Sequence, residues 1–299
     1  VTPKLLVKAG DMVEAGTPLF FDKLRPRILF TSPVSGKVRS IRRGEKRRIL
    51  SVVLEADQEQ KYLKLQAPAP EKSTRDKVVD SLLASGLWSL RIQRPYGTIA
   101  NPDDMPKSIF VSGFDSAPLA PDMNFVLENE YDNLVAGFEA LKKLTAGTVH
   151  LGLRNGSNGV LNKLTNVEQH FFDGPHPAGN VGVQIHHVDP INKGEVVWTV
   201  DIQNVAVIGR LFRNGIVDMH KTIAVTGSQA SEPRYIRLIA GAPMLQIALG
   251  GGLKRQSSGN SFRLINGNVL SGVQHDRDGT VTVSHTNARE RTHTNNTDR

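Results

Sequence analysis

Along roughly the first 65 positions, short apolar runs alternate with polar residues and break at Gly10, Gly16, Gly36 and Gly44, a spacing that predicts a small all-β module over residues 1–65. The stretch Ala67-Pro68-Ala69-Pro70 follows, and because each proline biases its predecessor away from helix, an extended linker and a module boundary are expected there. From residue 72 to 228 strand-like and helix-like segments alternate, which predicts an α/β layer structure. Its strand candidates are 108–112, 148–153, 167–172, 196–200 and 222–226. Ser73, with Asp76 three residues on, reads as an approximate capping box for a helix carrying Val78, Val79, Leu82, Leu83 and Leu87. The clearest helical run is 125–144, with Phe125, Leu127, Tyr131, Leu134, Val135, Phe138, Leu141 and Leu144 in steps of three and four. Further helices are expected from near Ala178 and through 205–212. Residues 233–273 place short strands around glycine corners (237–243, 249–253, 263–272), a partial β-grasp-like unit. No closing strand pattern is seen from Gln274 onward, and the Thr/Asn/Asp/Arg-rich stretch 274–299 is expected to be disordered.

A chain of 299 residues agrees with two or three such modules. The absence of cysteine excludes a disulfide scaffold, cysteine-held zinc or iron–sulfur clusters and a thiol nucleophile, and it fits a reducing compartment. No stretch approaches the roughly 20 apolar residues that span a bilayer. The chain opens at Val1 within a strand-like pattern, so it is expected to be a fragment whose true N-terminus lies upstream. The net charge of +8 is concentrated in Lys37, Arg39, Arg42, Arg43, Lys46, Arg47 and Arg48, with Glu45 alone against them. Such a patch attracts polyanions: an acidic partner protein, anionic headgroups or nucleic acid. It lacks interleaved aromatics and any groove-reading motif, which weighs against nucleic acid. A solvated hairpin tip is the bland alternative.

Candidate chemistry is sparse. A dinucleotide site needs G-x-G-x-x-G after a strand, and none is present; the Gly152–Gly159 segment has the wrong spacing, and Gly250-Gly251-Gly252 reads as a bend. His170, His176, His186 and His187 fall close together in sequence, but without H-E-x-x-H or an i,i+4 pair, and no metal site is assigned. Gly174-Pro175-His176-Pro177-Ala178-Gly179 reads as a conformationally fixed turn. No G-x-S-x-G elbow occurs, Asp115, Asp122, Asp173 and Asp189 stand near loops, and no catalytic residue is assigned.

Gly10-Asp11-Met12-Val13-Glu14-Ala15-Gly16-Thr17-Pro18-Leu19, followed by Ser32-Pro33-Val34-Ser35-Gly36-Lys37-Val38, resembles biotinyl and lipoyl carrier domains. The carriers' modified lysine, counted from Leu19 or back from Pro33, would fall on Pro26 or Arg25. Lys23 is near but out of that register. A stand-alone carrier modified on Lys23 is therefore the rival reading, and a nucleic-acid binder using the basic hairpin a third.

The carrier-like motif, Arg42-Arg43-Gly44-Glu45-Lys46-Arg47, Leu82-Leu83-Ala84-Ser85-Gly86-Leu87-Trp88, Gly174–Gly179, Ile185-His186 and Val269-Leu270-Ser271-Gly272 together resemble the NqrA component of the bacterial sodium-translocating NADH:quinone reductase, in family order. The resemblance implies a multi-domain α/β chain: a barrel-sandwich hybrid module, a Rossmann-like α/β core that has lost its flavin motif, and a β-grasp (SLBB-like) module. It implies a peripheral subunit on the cytoplasmic face of the inner membrane, in a six-subunit complex with NADH and ubiquinone as substrates. No cofactor is expected in this chain, since flavins and iron–sulfur centres reside on siblings. Arg42, Arg43, Lys46, Arg47 and Arg48 are expected to dock partners; His176, His186 and His187 are candidate quinone or partner contacts. The family's N-terminal segment and C-terminal part are absent from this sequence.

Overall fold

In a computed structural model the chain is described over residues 1–244, 247, 262–275 and 285–290, and it divides into two compact units. The first comprises Val1–Phe114 and Leu127–Met219, the second Asp115–Val126 and the residues from His220 onward.

The first unit begins with two three-stranded sheets. One is formed by β1 (Pro3–Leu5), β3 (Pro18–Asp22) and β4 (Arg25–Thr31); the other by β2 (Met12–Val13), β5 (Gly36–Arg43) and β6 (Ile49–Ala56). Alternate residues turn inward, so Val13, Leu19 and Val38 form a core with Val7, Phe20, Ile41, Val52 and Leu54 packed on it. Gly36 permits the crossing: with φ of 148°, a β-carbon there would lie 2.0 Å from the Glu55 carbonyl oxygen.

The Pro/Ala segment is extended as expected, yet it is fastened to the α/β layer. Pro70 is buried, Leu65 donates its N–H to the Gly215 carbonyl at 2.8 Å, and Lys143 Nζ donates to the Glu71 carbonyl. Ser73 does not cap the next helix, because its hydroxyl turns back to the Ala69 carbonyl at 2.8 Å. Helix α1 (Arg75–Ala84) starts two residues later.

Six strands then form one sheet in the order β11 (Glu168–Phe172), β10 (Val149–Arg154), β9 (Ser108–Ser112), β12 (Val197–Asp201), β7 (Arg91–Arg94), β8 (Thr98–Ile99). The first four are mutually parallel; β7 and β8 extend the sheet antiparallel. Near-continuous apolar runs such as Ile109-Phe110-Val111 suit strands covered on both faces. On one face Phe110 and Val197 meet Ile185 of α4 (Val181–Val188). Helices α3 (Tyr131–Lys142) and α5 (Ile202–Asn214) pack together, with Gly137 and Gly209 at the closest approach. Helix α5 has both terminal signals: the Asp201 carboxylate accepts from the Gln203 and Asn204 N–H groups, and Gly215 takes φ of 65° at the end.

The run from Phe125 to Leu144 is not one helix. A short α2 (Met123–Val126) belongs to the second unit, and the chain turns at 127–130 before α3. Glu130 explains the break: its carboxylate takes the Asn133 amide at 2.7 Å and lies 3.5 Å from Arg210 Nε, so it anchors the start of α3.

The second unit has a five-stranded sheet, in the order β14 (Arg234–Ile239), β13 (His220–Thr226), β17 (His285–Glu290), β15 (Phe262–Asn266), β16 (Val273–His275). Two expectations change here. The candidate strand at 222–226 joins this sheet instead of the α/β sheet, pairing with β14 and β17. A closing strand also exists: β17, predicted to be disordered, lies parallel to β13 and antiparallel to β15. Its polar sequence carries no apolar alternation, and backbone pairing on both sides holds it. The expected strand at 249–253 lies outside the described residues, as do 276–284 and 291–299. Ile223, Val225, Met244 and Leu264 make this unit's core.

Candidate functional site

The basic segment forms the tip of the β5–β6 hairpin. The ladder runs from Gly36 opposite Ala56 to Arg43 opposite Ile49, with irregularities after Val38 and Arg42. The turn closes by Gly44 N–H to the Arg48 carbonyl at 2.8 Å and Arg48 N–H to the Glu45 carbonyl at 3.1 Å. Arg43 Nη1 donates to the Arg47 carbonyl at 3.2 Å, and Lys46 and Arg47 both have positive φ, 52° and 58°. Consecutive left-handed residues other than glycine are unfavourable, so the tip is a defined shape. Arg42, Arg43, Lys46, Arg47 and Arg48 are all exposed on it, beside Leu50, itself 64% exposed.

Lys23 lies at a tip as well. Lys23-Leu24 form the two-residue turn between β3 and β4, where Asp22 pairs with Arg25, so counting from the flanking motifs missed the turn by two or three residues. This hairpin is fastened along its flank: Arg25 Nη1 donates to the Ile99 carbonyl at 2.8 Å, Arg27 pairs with Asp103 at 3.0 Å, and Thr31 Oγ1 donates to the Ser85 carbonyl at 2.8 Å.

The histidines divide into two places. His176 belongs to the turn 174–179, which Ser112 Oγ holds by donating to the Gly179 carbonyl at 3.0 Å. Gln184, buried against Gly152, donates to Ser112 Oγ at 2.9 Å. His186 and His187 are exposed in the last turn of α4, and their rings meet edge to face at 5.2 Å. Adjacent positions were expected to diverge, but the rings of this pair remain in contact. His170 is remote in role from these: on edge strand β11 its Nε2 lies 2.9 Å from Nδ1 of His150, and 3.4 Å from Glu168. His150 is buried, and that burial, then the neighbouring His170, pushes its imidazole below its usual pKa. Sequence spacing could not join His150 to His170, because their meeting depends on the parallel β10–β11 register. Beside them Lys107 bridges Asp189 at 2.6 Å and Glu195 at 3.0 Å.

These features define a mixed α/β, multi-domain protein with an N-terminal barrel-sandwich module. Three family models match it in succession: the NqrA N-terminal barrel-sandwich hybrid domain over residues 1–57, the NqrA second alpha/beta domain over 73–217, and the NQRA C-terminal (SLBB) domain over 222–277. The chain belongs to the NqrA family of the Na(+)-translocating NADH-quinone reductase. It is 37% identical over 273 residues to the NqrA protein of Neisseria meningitidis serogroup A, covering 91% of this chain and 60% of the relative. For the relative in Hahella chejuensis the values are 37% over 272 residues, 90% and 60%; for that in Photorhabdus laumondii, 36% over 276 residues, 92% and 61%. The chain thus spans about 60% of the length of these relatives. A solved NAD+-reducing [NiFe]-hydrogenase is similar at TM-score 0.49 and 12% identity, over 74% of this chain and 47% of that one.

Proposed function

We propose that the chain serves as a peripheral docking subunit of a Na+-translocating NADH:quinone reductase, on the cytoplasmic face of the inner membrane. In this reading flavin and iron–sulfur centres reside on sibling subunits, and NADH and ubiquinone are substrates of the assembly. Family membership supports the assembly, and no helix among the described residues is long and apolar enough to cross a membrane. The α/β layer is read as Rossmann-like, because its parallel strands run third, second, first, fourth in chain order. His176, His186 and His187 are retained as candidate quinone or partner contacts.

The observation that carries the docking role is the basic hairpin. Five exposed cations crowd one shaped turn with a single acid beside them. Like charges at that density repel and add little to folding, so their use is attraction of an acidic surface on a partner protein of the assembly. Replacing Arg42, Arg43, Lys46, Arg47 and Arg48 together by Gln is expected to leave the melting temperature within a few degrees, since exposed charges contribute at most about 1 kcal/mol each. Recruitment to membranes carrying the sibling subunits should fall, and fall most at low salt. Normal recruitment of the variant at every ionic strength would sink the proposal. Equal binding of the parent to sibling-free anionic vesicles would instead assign the patch to lipid, and a steep counterion-dependent affinity for random duplex would assign it to nucleic acid.

A further inference from the structure

The amino ends of β10 and β11 bring together three side chains that ligate metals. In this parallel pair His150 stands opposite Glu168 and Gly152 opposite His170. Nδ1 of His150 and Nε2 of His170 are 2.9 Å apart; Glu168 places one carboxylate oxygen 3.4 Å from His170 Nε2 and the other 4.0 Å from His150 Nδ1. The ligand atoms of all three lie within 4.8 Å of one another. Two nitrogens bound to one zinc ion at about 2.0–2.1 Å stand roughly 2.9–3.4 Å apart for angles from square to tetrahedral. A shared proton between two neutral imidazoles accounts for the first distance by itself. It does not account for a carboxylate converging on the same nitrogens.

We propose that His150, Glu168 and His170 form a binding site for a divalent transition-metal ion of the zinc class, with the ion taking the place of the proton shared by the two rings. The donor set, two imidazole nitrogens and one carboxylate oxygen, suits zinc and its neighbours better than magnesium or calcium. The rigid and adjustable parts are divided sensibly. His150 is buried with its ring 4.4 Å from that of Phe110, which fixes its direction, whereas the Glu168 side chain is 54% exposed and can rotate inward by the few tenths of an ångström required. The exposed side leaves a coordination position for water. Because β11 is an edge strand paired on one side only, an ion held by residues of both strands would fasten that edge to β10.

The experiment uses the full chain, stripped with a chelator, and titrates it with zinc against a chromophoric competitor and by calorimetry. The expected result is one zinc per chain at micromolar affinity or tighter. Excess zinc should also raise the melting temperature by several degrees, as expected for a ligand about a hundredfold above its Kd. Glu168→Gln should weaken binding by at least about tenfold, and His170→Gln should remove both binding and thermal shift. These two side chains are at least partly exposed, so the variants should fold, which their melting curves in chelator check. A His186→Gln/His187→Gln double variant should bind as the parent does. Absence of a zinc-dependent shift in the parent, or undiminished binding by His170→Gln, would overturn the proposal.

Discussion

Lys107 stands between two carboxylates at the start of the α/β sheet and shows how single residues set the pH response. Burial alone would raise the Asp189 pKa, but hydrogen bonds from Lys107 and Ser108 prevail and hold it below the usual carboxylate range. Glu195 is likewise held low, first by the Asn192 N–H and then by Lys107, while Asp189 and Glu195 raise the lysine above its ordinary value. A carboxylate whose pKa is depressed on folding contributes stability that is present above its unfolded value and is lost as pH falls through its folded value; a raised lysine contributes stability lost only on the far alkaline side. Asp189→Asn should therefore melt below the parent at about pH 7, and the difference should shrink toward about pH 4, where the parent also loses the charge. A difference that stays constant with pH, measured by calorimetric melts, would mean that Asp189 acts by packing alone. None of this was legible beforehand: the sequence marked Asp189 only as an acid near a loop, and its partner lies 82 positions away in the chain.

Elements depend on close approach that hydrophobic periodicity does not record. A methyl built on Gly209 would lie 1.7 Å from the Asn133 carbonyl oxygen, and one on Gly137 2.2 Å from that of Val205, so α3 and α5 pack backbone to backbone. Gly209→Ala is expected to cost about 1–3 kcal/mol by forcing the helices apart, against a gain of at most about 1 kcal/mol from helix propensity. Its melting temperature should fall by several degrees. Gly182→Ala in α4, where a methyl meets nothing within 4 Å, should melt at or above the parent temperature. Equal melting of both variants with the parent would remove the close-packing argument. The same limit explains the broken helix. The apolar steps from Phe125 to Leu144 are real, yet Glu130 is drawn to Arg210, a residue of another helix.

At the scale of the whole molecule, the barrel-sandwich and α/β modules form one compact unit, and the β3–β4 hairpin bearing Lys23 is fastened along its side. A carrier arm must move freely, whereas this hairpin is held by Arg25, Arg27 and Thr31. Chain purified from native cells is therefore expected to have the mass of its sequence, to show no flavin absorbance and to oxidise no NADH. A lipoyl or biotinyl adduct on Lys23 would restore the carrier reading, and a bound flavin would contradict the docking role.

Local pattern by itself determined much of this protein. Glycine punctuation delimited the small β module, near-continuous apolar runs located the parallel strands, Asp201 and Gly215 bounded α5, and the ordered motifs from Gly10 to Gly272 named the family. Each is encoded within a few neighbouring residues, where propensity and period operate. Tertiary structure alone decided that strand 220–226 leaves the α/β sheet for the second unit and that polar β17 is paired at all. It also placed Lys23 at a tip and set His150 and His170 2.9 Å apart. Those outcomes rest on register and backbone pairing between distant segments, which no single stretch of sequence records.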